Sequence, residues 1–294
     1  DKKPAYPLLV YLTGQNGFRG ASTFQIEELV SRGYIVVGLD QPGASALVRF
    51  PDGHEVEGLP REQGYPLTQQ SVEPRPVAPL LLGKPMPEGI VPYFAADVSF
   101  ALDRLAEINA GDPRKLLTGR LDLGRTGIFG ISLGGIDAAE ACLKDRRLRA
   151  CLIMDVFMSA EVVKRGLDIP ALWITRDAET MRLERRLAGG WTEEDIEQHQ
   201  RTMRQVYQSL RNEGYYLEIP GVFHLNFTDA PYWLPISSQL GLTGPVSSAR
   251  MFEIINAYTV AFFDKHLEGL KAPLLEGPSR RFPELRFETR NGRP

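Results

Sequence analysis

Residues 127–135 read GIFGISLGG, an apolar run that ends in one hydroxyl, Ser132, with Gly130 two residues before it, Gly134 two residues after, and Gly135 next. A serine at the tip of a sharp strand-to-helix turn has a strained backbone, and side chains two positions away on either side would collide with their surroundings. Glycine at both places removes the collision. GISLG is therefore the GxSxG pattern of a nucleophile elbow, given a strand before it and a helix after it. Residues 126–131 (TGIFGI) supply the strand, and 133–144 carry helical apolar spacing. Such a turn lifts the serine hydroxyl to the carboxyl end of the sheet, where open α/β folds bind ligands. Gly135 would let the helix pack close against the strand.

Outward from this turn, short β-rich runs alternate with longer helical patterns. Further strands are expected at 8–13 (LLVYLT), 34–39 (YIVVGL), 150–155 (ACLIMD), 171–176 (ALWITR) and 215–220 (YYLEIP). Most are continuous apolar runs, the mark of strands covered on both faces. Helices are expected over 22–32, 94–108, 192–212 and 248–267. In the last of these Met251, Ile254, Ile255, Tyr258, Ala261 and Phe262 fall on one stripe. The pattern predicts a single α/β domain over 1–294, a mostly parallel central sheet with helices on both faces. Two stretches break the alternation: 44–92, rich in proline and glycine (EPRPVAP, GKPMPEG), and 227–248. The first reads as an irregular excursion, of the kind that forms lids or binding walls. The 192–212 segment has an apolar stripe of Met203, Val206, Tyr207 and Leu210, which fits a packed helix, with a cap or lid as the alternative.

Composition narrows the partners. The 34 basic and 37 acidic residues are interspersed and leave a net charge of −3, so no basic face awaits nucleic acid. No apolar run approaches the roughly 18 to 20 residues that span a bilayer. Cys142 and Cys151 read as two buried thiols rather than a disulfide, and neither has metal-ligand spacing with a histidine.

A serine hydroxyl is a poor nucleophile until a base takes its proton. Of four histidines, His54 lies in the irregular excursion, His199 in a charged helix and His266 beside Lys265, all expected as surface or capping residues. His224 differs, because it sits in a loop just past a strand and before the final helix, where an elbow's base belongs. Two aspartates at strand ends compete to orient it, Asp155 at 23 residues and Asp177 at 45 residues beyond the serine. Both satisfy the order serine, acid, histidine. For the oxyanion, one amide is that of Leu133, after the nucleophile. The other comes from TGQNGFRG at 13–20, with Gln15 chosen and Asn16 the alternative. Aromatics near these motifs, Phe18, Phe157, Phe223, Phe227 and Trp233, are candidates to wall a substrate pocket, Phe18 and Phe157 first.

Taken together, LTGQNGFRG, GISLGGIDAAEACLKDRRLRACLIMDVFM and GVFHLNFTD resemble the group II platelet-activating factor acetylhydrolases and their bacterial relatives, with gaps, from Pro7 to Leu270. The resemblance implies the α/β-hydrolase fold and a serine esterase acting through an acyl-enzyme. It implies Ser132 as nucleophile, Asp155 as acid and His224 as base, tilting the acid choice from Asp177 to Asp155. It also implies amide donors at Gln15 and Leu133, no metal or other cofactor, a small-molecule or lipid ester as substrate, and a secreted or periplasmic location. The chain departs from the family pattern at Ile131, where histidine is common, at Thr13-Gly14, where His-Gly is common, and at Met154, where leucine is common. These departures bear on substrate range. A general carboxylesterase or polyester hydrolase would share every one of these catalytic residues.

Overall fold

A computed structural model describes residues 5–291. In chain order the elements are β1 (Tyr6–Leu12), α1 (Thr23–Ser31), β2 (Ile35–Leu39), β3 (Leu47–Arg49), β4 (Glu55–Glu57), α2 (Arg61–Val72), β5 (Leu80–Leu81), β6 (Lys84–Pro85), α3 (Val91–Ala110) and β7 (Leu121–Ile131). There follow α4 (Leu133–Lys144), β8 (Leu148–Met154), α5 (Ala160–Arg165), β9 (Ala171–Thr175), α6 (Ala178–Ala188), α7 (Glu193–Ser209), β10 (Gly214–Glu218), α8 (Ala230–Trp233), α9 (Ser248–Glu268) and β11 (Arg286–Arg290).

Seven strands form the central sheet in the order β11-β10-β9-β8-β7-β1-β2, all neighbours parallel except β11, which runs antiparallel to β10. The period of two divides each apolar run between two cores. Leu8, Val10 and Leu12 of β1 face one side with Cys151 and Ile153 of β8, under Phe94, Ile136 and Met203 from α3, α4 and α7. Leu9 and Tyr11 face the other with Leu152 and Met154, under Leu29 of α1 and Ile254, Tyr258 and Phe262 of α9. With helices on both sides, neither face of the strands can be polar, which is why they read as unbroken apolar runs. Parallel pairing also brings the strands' carboxyl ends to one edge. Leu12 pairs with Gly130, Ile131 with Met154, and Met154 with Ile174.

The structure bears on three expectations. The 44–92 excursion is not irregular throughout: it holds two small hairpins, β3-β4 and β5-β6, and the twelve-residue α2. Gly64 and Pro66 inside REQGYPLTQQSV hide this helix, because both weigh against helix in isolation. Pro66 removes only one intrahelical bond, and burial of Leu67, Thr68 and Gln70 outweighs it. Second, the 192–212 segment holds the helix α7, Glu193–Ser209. Its capping box at Thr192 and Asp195 starts a helix whose Met203, Val206 and Tyr207 pack in the core, while Thr202 accepts from the Met158 N–H at 2.9 Å. Third, α6 and the edge strand β11 were not expected, the latter because RFETR alternates too briefly to signal a strand. Both cysteines are free thiols, Cys151 buried and Cys142 half-buried.

One buried group bears on stability. Asp137 of α4 is sealed from solvent, and neither carboxylate oxygen has a hydrogen-bond partner. Burial, reinforced by the charges of Asp97 and Glu140, raises its carboxyl well above the usual range. Its contribution to stability is therefore complete below the unfolded aspartate value near 4 and is lost as pH rises through the raised native value. Asp137→Asn should stabilise the fold by about 1–3 kcal/mol at pH 8 and by less at pH 5. Thermal denaturation at both pH values checks this, and an equal shift at both would refute it.

Candidate active site

The turn between β7 and α4 holds Ser132 at φ 56°, ψ −127°, a region that residues other than glycine rarely occupy. The surroundings force this conformation. A Cβ on Gly130 would lie 2.2 Å from the Gly134 carbonyl oxygen, and one on Gly134 would lie 2.3 Å from that of Leu12. The Ser132 N–H donates to Met154 O at 2.9 Å, tying the elbow to the end of β8. Gly14 brings the loop after β1 against the serine, since a Cβ there would sit 3.1 Å from Ser132 Cβ.

At the end of β8 the chain turns again, with Asp155 at φ 48° and its N–H donating to Ile174 O at 3.0 Å. Its carboxylate is fully buried, and Oδ2 lies 2.6 Å from Nδ1 of His224. His224 opens a short turn of 3-10 helix, His224–Phe227. Asn226 holds this turn in place by accepting from the N–H groups of Phe223 at 2.7 Å and Gly244 at 2.8 Å. With Nδ1 engaged, Nε2 is the ring nitrogen without a protein hydrogen bond among the described residues. Ser132 and His224 line one cavity of about 450 Å³. No hydrogen bond joins the Ser132 hydroxyl to the His224 ring among the described residues.

Burial alone would raise the Asp155 carboxyl. The Arg176 guanidinium, with the neighbouring His199 ring and the hydrogen-bonded His224, instead holds it well below the usual range. The charged form of Asp155 is thus favoured, with Oδ2 facing the Nδ1 of His224. Asp177 is placed otherwise. It caps the N-terminus of α6, accepting from Thr180 N–H at 2.7 Å, and makes no hydrogen bond to His224.

The two possible loop donors also separate. The Asn16 N–H donates to Ala44 O at 2.7 Å and is therefore occupied. Gln15 lines the cavity, and no protein acceptor takes its N–H among the described residues. Leu133 is the first residue of α4, where the N–H has no intrahelical acceptor, and it too lines the cavity. Around these groups apolar and aromatic side chains, Val156, Phe157, Trp191 and Leu225 among them, share the lining with Arg61, Tyr65 and Asp195.

Residues 95–273, more than half of the chain, match the platelet-activating factor acetylhydrolase, isoform II, family. The chain belongs to that family. Among similar curated proteins, platelet-activating factor acetylhydrolase of Cavia porcellus is 24% identical over 284 residues, 89% of this chain and 58% of that protein. A probable 1-alkyl-2-acetylglycerophosphocholine esterase of Arthroderma benhamiae is 23% identical over 299 residues, 96% of this chain and 66% of that protein. The chain thus spans less than two thirds of the length of either relative. Among solved structures, a ferulic acid esterase from Streptomyces cinnamoneus is similar with a TM-score of 0.72 and 28% identity, over 98% of this chain and 74% of that one. The fold of this acetylhydrolase-family member is that of the α/β hydrolases.

Within this family framework some side chains sit where the sequence did not place them. Phe18 is outside the cavity lining: the turn closed by Gly17 N–H on Gly14 O carries it past the site, where it is 43% exposed and stacks on Trp233 at 5.3 Å. Phe223 and Phe227 are core residues, while Phe157 lines the cavity. His199 is not at the surface. It is fully buried, with Nε2 3.4 Å from Asp155 Oδ1 but not aligned as a hydrogen bond. His54 pairs with Asp52 in the open, and His266 accepts from or donates to the Tyr215 hydroxyl at 3.1 Å. Missed altogether were Arg176, Glu184 and Trp191. Trp191 follows two glycines in a loop and meets the His224 ring edge-on at 5.5 Å. A charged residue closing the apolar strand ALWIT was the one available signal for Arg176.

Proposed function

We propose that this protein is a serine-dependent carboxylic ester hydrolase. Ser132 Oγ attacks the ester carbonyl as His224 Nε2 takes its proton. The amides of Gln15 and Leu133 stabilise the oxyanion, and the same proton passes from the imidazolium to the leaving alcohol. Water, activated by His224, then releases the acid from the acyl-enzyme. Asp155 holds Nδ1 throughout. The observation that carries this reading is the 2.6 Å contact between His224 Nδ1 and Asp155, over a cavity shared with the serine.

For substrate, the family supports a short-acyl phospholipid ester. The aromatic walls, with Phe157 and Trp191 in edge contact at 6.4 Å, favour a second reading, an aryl or aromatic polyester acyl group. The ferulic acid esterase neighbour points the same way. A panel of short-acyl phospholipids, p-nitrophenyl esters, hydroxycinnamate esters and a polyester film, with Ser132→Ala as control, ranks these by kcat/KM. We expect hydrolysis that Ser132→Ala lowers by at least about 10³-fold. Absence of both hydrolysis and fluorophosphonate labelling at Ser132 would refute the esterase reading.

A further inference from the structure

Behind the base lies a buried cluster of charges of which the acyl-transfer reading uses only one. Arg176, after β9, is sealed from solvent. Its Nε donates to Asp155 Oδ1 at 3.1 Å and lies 2.9 Å from Oδ2, while Nη1 donates to Glu184 Oε2. The other oxygen of Glu184, Oε1, accepts from the His224 backbone N–H at 3.1 Å. One face of the guanidinium lies over the Trp191 ring, 5.4 Å from its centre. A single planar fork thus grips the side chain of the acid directly and the backbone of the base through Glu184. Only arginine presents donors in that fixed geometry, and lysine has a single point of attachment.

Stability alone is a poor reason for such a cluster, because buried ion pairs are often no better than apolar residues of the same volume. Charge gives a better one. Asp155 and Arg176 cancel, and Glu184 restores a net negative charge behind the imidazolium that forms during attack. We propose that Arg176 is a positioning residue for ester hydrolysis, holding the Asp155 carboxylate and the His224 loop in register, with Glu184 as the counter-charge that keeps the base effective. The proposal rests on the acyl-transfer reading above.

The test is the pH dependence of kcat/KM on a p-nitrophenyl ester, together with melting curves, for Arg176→Met, Arg176→Lys, Glu184→Gln and the Arg176→Met/Glu184→Gln pair. The charged and titratable groups facing His224 are Asp155, Arg176, Glu184 and His199 behind it, and Arg61, Tyr65 and Asp195 across the cavity. Only the replaced ones change. Arg176→Met leaves two carboxylates uncancelled, so the acid limb should move up by about one pH unit, with kcat reduced more than KM is raised. Glu184→Gln should move the limb down, and the double variant should bring it back. Arg176→Lys should keep the limb while losing part of kcat. An acid limb that stays put in every folded variant, or kcat losses that merely track the unfolded fraction, overturns the proposal. Should Arg176→Met fail to fold, Glu184→Gln decides by the same limb. Fluorophosphonate labelling of the unaltered protein keeps the two readings apart. Without labelling, the esterase reading fails and this one with it; labelling with invariant limbs sinks this one alone.

Discussion

Asp155→Asn is expected to lower kcat by about 10⁴-fold, while Asp177→Asn leaves activity within about twofold of the unaltered protein. The first change swaps an acceptor for a group that can donate, so the histidine takes the wrong tautomer even if the ring stays in place. Asp155 is also the acceptor for Arg176 Nε and for the Thr175 hydroxyl, the latter at 3.3 Å. An asparagine leaves Arg176 with one carboxylate, Glu184, instead of two. The second change touches a helix cap, where asparagine serves nearly as well as aspartate, and an ion pair with the exposed Arg286 at 3.6 Å, and neither reaches His224. Steady-state kinetics on one chromogenic ester, with melting temperatures alongside, compare the two. A ranking in the other order would transfer the role of acid to Asp177 and leave the short contact between Asp155 and His224 without a function.

Gly134→Ala should damage both fold and site, costing about 3–4 kcal/mol and most of the activity. The new Cβ would lie 2.3 Å from Leu12 O and 2.5 Å from Thr13 O, backbone atoms of β1 and of the loop that follows it. Neither can move without shifting the sheet or Gln15. Gly111→Ala is the control. It sits just past α3 at φ −164°, ordinary extended backbone, with no atom within 4 Å of the added carbon. Denaturant unfolding of both proteins reads the difference. If Gly134→Ala is as stable as Gly111→Ala, the steric account of the elbow is wrong.

Much of the architecture was legible because the forces that make it are local or periodic. Unbroken apolar runs specify strands covered on both faces, and the stripe from Met251 to Phe262 specifies the helix that covers one of them. The elbow was legible because its sterics act across five residues. Elements went unread where tertiary burial overrode local preference, as in α2 with Gly64 and Pro66, or where a strand such as β11 was too short to show its period. Gly64 faces the Gln15 side-chain amide, whose nitrogen would lie 2.3 Å from a Cβ there, a proximity visible only in three dimensions.

By itself the amino-acid sequence determined the class of fold, the serine at its turn and the histidine that follows the last parallel strand, since each depends on spacing along the chain. Only the tertiary structure decided which aspartate stands behind that histidine and which loop amide is left without an acceptor. It alone also brought His199, Arg176 and Glu184 together around Asp155 and His224. Those outcomes turn on a few ångströms between segments far apart in sequence: Asp155 turns inward at a positive φ while Asp177 begins a helix, and Ala44 takes the Asn16 N–H but not that of Gln15. Residue type and spacing do not encode such distances. They are set when the loops at one edge of the sheet pack against each other.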